Sequence, residues 1–76
     1  MDDRTQKKLA ELLEAEAIMQ MQERLGGTAK ATDHSDVYRI CLTHVCIETL
    51  DDQYASCAKR EVAWSLLKDS IQITIH

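Results

Sequence analysis

The apolar positions along this chain mark out three helical stretches and one alternating tail. From Asp3 to Leu25 the residues are mostly strong helix formers: Leu, Ala, Glu, Gln, Met and Lys. Asp2 and Asp3 put negative charge at the helix start, and Gly26 stands where a left-handed C-terminal cap belongs. At about 100° per residue the apolar side chains of this helix occupy two sectors. Leu9, Leu13, Ala17, Met21 and Leu25 sweep round one side, while Leu12, Ala15 and Met19 lie on another. Glu11, Glu14, Glu16 and Glu23 separate them. Two arrangements would bury both sectors: the helix is sandwiched by its own chain, or a second molecule covers one of them.

Thr28 to Asp33 reads as a short polar linker, after which Asp33 or Ser35 offers an N-cap to a helix over about 35–50. From Val37 to Leu50 the apolar residues fall all round the wheel, which predicts a buried helix. The β-branched content would suit a strand, but so long a run without Gly or Pro favours a helix. Asp51-Asp52 then breaks the chain and caps a third helix over about 52–68. Tyr54, Ala58, Val62 and Leu66 step along one face of it, Cys57, Trp64 and Leu67 lie on a second, and Lys59, Arg60 and Glu61 meet solvent. Residues 70–76 alternate polar and apolar, with Ile71, Ile73 and Ile75 on one side, the pattern of a half-buried strand. Such a strand would pair with the linker, with the same tail of a second molecule, or with a target protein. The other reading is a coil or helix extension whose isoleucines pack on the bundle. The expected fold is a single all-α domain over 1–76, three helices with a short extended tail, assembled as a dimer.

Composition narrows the function. A chain of 76 residues with 45% hydrophobic and 29% charged residues is one small globular domain. Phe and Pro are absent, so Trp64, Tyr38 and Tyr54 are the only large rings available to its core. There is no apolar run of about 18 residues to span a membrane. The polar opening Met1-Asp2-Asp3 gives no secretory signal, which implies a reducing, cytoplasmic setting. A net charge of −4 makes non-specific polyanion binding an unfavourable role. A domain this small hides only about 60% of its unfolded surface, so a disulfide, a metal or a second copy is a common supplement.

Three cysteines leave at least one thiol unpaired, and the disulfide route is weak. Cys41, His44 and Cys46 are close in sequence, with Cys57, His34 and His76 elsewhere. On a helix Cys41 and His44 share a face but Cys46 lies about 140° away, and no C-x-x-C pair exists, so the three cysteines read as core residues, His44 as a buried or partly buried histidine bonded to a neighbour, and no metal is expected. No glycine-rich turn follows a Cys or His to supply oxyanion donors, so no enzyme activity and no cofactor is expected. Protein binding is the class that remains. The expected role is a small acidic regulator or inhibitor that, as a homodimer, occludes a surface of a partner protein. Its candidate partner-binding residues are Glu11, Glu14, Met19, Met21, Trp64, Ile71, Ile73 and Ile75. The alternative is a small helix-turn-helix DNA-binding regulator that uses Lys59 and Arg60, though two aspartates would then face phosphate.

Overall fold

A computed structural model describes the backbone of residues 3–74 and the side chains of residues 3–69. Three helices follow one another: α1 (Asp3–Leu25), α2 (Ser35–Asp51) and α3 (Cys57–Thr74). Each of the three packs on the other two, and α2 is the principal partner of both α1 and α3. The longest dimension, 34 Å, is about the length of a straight 23-residue helix such as α1.

Local chemistry sets the helix ends. Asp3 in the first turn and Arg24 in the last complement the dipole of α1. Gly26 adopts φ 107° and donates its N–H to the Gln22 carbonyl at 2.8 Å, closing α1 with a left-handed cap. The linker is held to α1 by Gln22, whose Nε2 donates to the Ala29 carbonyl at 3.2 Å. His34, not Asp33 or Ser35, occupies the N-cap of α2, and its side chain makes no capping bond. The N–H groups of Asp33 and His34 instead turn back to the Lys30 carbonyl, a local turn that displaces the expected cap.

The expected start of α3 at residue 52 is also corrected. Asp52 builds a turn: its Oδ1 accepts the Tyr54 N–H at 2.9 Å and its carbonyl accepts the Ala55 N–H. Ser56 then caps the helix, its Oγ accepting the Lys59 N–H at 3.1 Å. At the other end the helix continues beyond residue 68, so the backbone from Ser70 to Thr74 is helical rather than extended. Continuing the helix pairs each N–H with the carbonyl four residues back, whereas an extended tail needs a neighbouring strand, and none occurs among the described residues. Ile75 and His76 lie outside the described residues.

The core takes three side chains from each helix: Leu13, Ala17 and Met21; Cys41, Val45 and Cys46; Val62, Ala63 and Leu67. Among the described residues it contains no ring. Tyr54 is 88% exposed, Trp64 is 50% exposed, and Tyr38 packs on the core from a half-buried position. Nor is α2 buried all round, because Ile40 and Ile47 both face outward. Thr49, the one buried polar side chain among the described residues, donates to the Val45 carbonyl at 2.9 Å and is satisfied.

Candidate functional site

The two apolar sectors of α1 have opposite fates. Leu13, Ala17 and Met21 are fully buried, and Leu9 packs partly beside them. Leu12 and Met19 remain more than half exposed, and Ala15 between them is exposed as well. The chain therefore covers one sector with its own helices and leaves the other open. Leu25, which its spacing places with the covered sector, is instead exposed at the capped end of the helix.

Acidic residues border the open sector. Glu16 and Glu23 each lie four residues beyond Leu12 and Met19, and Glu11 is exposed on the other flank. Glu14 turns inward to a half-buried position. There its charge, second to burial itself and ahead of Cys46, raises the Tyr38 phenol above its ordinary pKa. Met19 borders an open depression with Gln22, Glu23 and Gly27.

A second exposed ridge runs along α2. Ile40 and Ile47 are seven apart, and His44 stands between them. His44 joins the two helices: its Nδ1 lies 3.4 Å from Gln20 Oε1 on α1, and its Nε2 lies 3.2 Å from Glu48 Oε1. Lys59 Nζ reaches Glu16 Oε1 at 4.0 Å and links α3 to the same side of α1. These contacts are exposed, so they set the edges of the surface more than they hold the fold.

The candidate residues are thus divided. Glu11, Met19 and Trp64 are accessible, whereas Met21 is a core residue and cannot contact a partner. Ile71 and Ile73 belong to the last turns of α3, and Ile75 falls outside the described residues. Leu12, Ile40 and Ile47 were absent from the candidate set, although each has a same-face apolar neighbour seven residues away or its own i, i+7 pair. Cys41 and Cys46 are buried as expected of core thiols, but Cys57 is exposed at the start of α3. Among the described residues, no three His, Cys, Asp or Glu side chains are grouped to hold a metal ion. None of the described helices is long and apolar enough to cross a membrane.

The two basic residues of the helix-turn-helix alternative are both engaged within the molecule. Lys59 meets Glu16, and Arg60 Nη2 donates to the Asp52 carbonyl at 2.6 Å while its Nε is buried without a partner. No family model matches the chain, and neither a curated protein nor a solved structure shows significant similarity to it.

Proposed function

We propose that this chain is a small acidic protein-binding module that regulates or inhibits a partner protein by covering one of its surfaces, and that it does so as a homodimer. The observation that carries the reading is the open sector of α1, where Leu12 and Met19 stay exposed between Glu11, Glu16 and Glu23. Apolar side chains at the centre with charge at the rim are the anatomy of a protein interface. Met adapts to irregular partner surfaces, which suits an occluding contact. The acidic rim selects a basic surface and accelerates encounter with it at low salt.

The test compares capture by the wild-type chain with capture by the Leu12→Asp/Met19→Asp variant, using native cell extract. The expected result is one protein retained by the wild type and lost by the variant, with unchanged thermal melting. Equal retention by both chains would remove the open sector from the function.

A further inference from the structure

We infer that a second copy of this chain docks on the Trp64 face of α3, antiparallel about a two-fold axis passing beside Trp64 and Ser65. This rests on the dimeric part of the reading above and supplies its interface. Cys57, Glu61, Trp64 and Lys68 follow one another at steps of four, three and four, so they form a single seam along α3. All four are exposed, and Trp64 keeps half its surface open. A half-exposed tryptophan on a regular helix face is a typical interface anchor. Lys68 Nζ already lies 5.9 Å from the centre of its ring, which places the cation beside the indole.

Charge says which molecule covers this seam. A two-fold contact is self-complementary, so whatever Glu61 meets must in turn meet Glu61. With the axis between residues 64 and 65, antiparallel helices set Glu61 opposite Lys68 of the partner subunit, and Lys68 opposite Glu61 of the partner subunit. Glu61 has no ion-pair partner among the described residues of its own chain. A second copy fits α3 by this reciprocal pairing, and docking there leaves the open sector of α1 free for a target.

Trp64 is the only tryptophan, so its fluorescence reads this face directly. Sedimentation equilibrium across micromolar concentrations is expected to show one chain becoming two, with the emission moving to shorter wavelength in step. Glu61→Lys and Lys68→Glu should each weaken the dimer roughly tenfold or more. The double variant restores both cross-pairs and should return to near wild-type association, with circular dichroism confirming intact helices throughout. A single-chain species at all concentrations overturns the interface together with the dimer. A dimer with unshifted emission, or a double variant weaker than either single one, overturns the interface alone and leaves the dimeric reading standing.

Discussion

Leu12 and Leu13 are consecutive residues with opposite environments: Leu13 is fully buried and Leu12 is 57% exposed. One step of about 100° along α1 carries the chain from the core to its open face. The pair therefore separates folding from surface chemistry within a single turn. Leu13→Ala should lower stability by about 2–5 kcal/mol, because it leaves a cavity in the buried core cluster. Leu12→Ala should stay within about 0.5 kcal/mol of the wild type. Urea denaturation of the two variants at a concentration where the protein is a single chain provides the measurement. Equal losses would mean that Leu12 is packed in the folded chain.

Much of α1 was legible in the sequence because two independent signals agree there. Helix-forming residues run without a break to Leu25, and Gly26 supplies the one backbone conformation that ends the helix cleanly. The start of α3 was less legible, since Asp51, Asp52 and Ser56 are all competent caps and only the turn decides between them. In α2, apolar residues on every side resemble full burial, yet a bundle of three helices has too little surface to cover Ile40 and Ile47. The alternation at residues 70–74 has the period of a strand but no partner strand, and backbone hydrogen bonding outweighs side-chain pattern there. The open sector of α1 was visible as a sector, but which of the two sectors the chain would cover depended on packing among all three helices.

Gly26 and Gly27 should respond differently to the same substitution. Neither has an atom within 4 Å of where a Cβ would stand, so space does not distinguish them. Backbone conformation does, because Gly26 holds φ 107°. Gly26→Ala should cost about 1–2 kcal/mol through the left-handed strain on an L-residue. Gly27→Ala should be close to neutral. Thermal melting monitored at 222 nm reads both, and a neutral Gly26→Ala would show that the cap opens without affecting the bundle.

Ser56 is expected to carry the N-terminal cap of α3. Removing its hydroxyl leaves the Lys59 N–H without the acceptor it now has at 3.1 Å. Ser56→Ala should therefore lower stability by about 0.5–2 kcal/mol, and Ser56→Asp should retain most of it. Hydrogen exchange at the Lys59 amide is the local readout. Faster exchange in Ser56→Ala, and protection close to wild type in Ser56→Asp, is the expected pattern; unchanged protection in the alanine variant would assign the cap elsewhere.

The thiols supply both an accessibility order and a pH dependence. Cys57 is exposed while Cys41 and Cys46 are buried, so a thiol reagent should modify one cysteine quickly and the other two only as the chain unfolds. Burial also pushes the Cys46 thiol above its ordinary pKa. The folded chain then holds that proton at a pH where the unfolded chain has released it. The associated stability is full below the unfolded thiol value and is lost as pH rises from there through the folded one. Tyr38 is raised too, by burial first and then by the charges of Glu14 and Cys46, which adds a second loss at still higher pH. Urea midpoints measured from about pH 7 to 10.5 should accordingly fall on the alkaline side. Cys46→Ala should be less stable than the wild type at neutral pH, where the lost packing dominates, yet decline less steeply above the thiol range. Parallel slopes for the two proteins, or equal labelling rates for all three cysteines, would place Cys46 in contact with water.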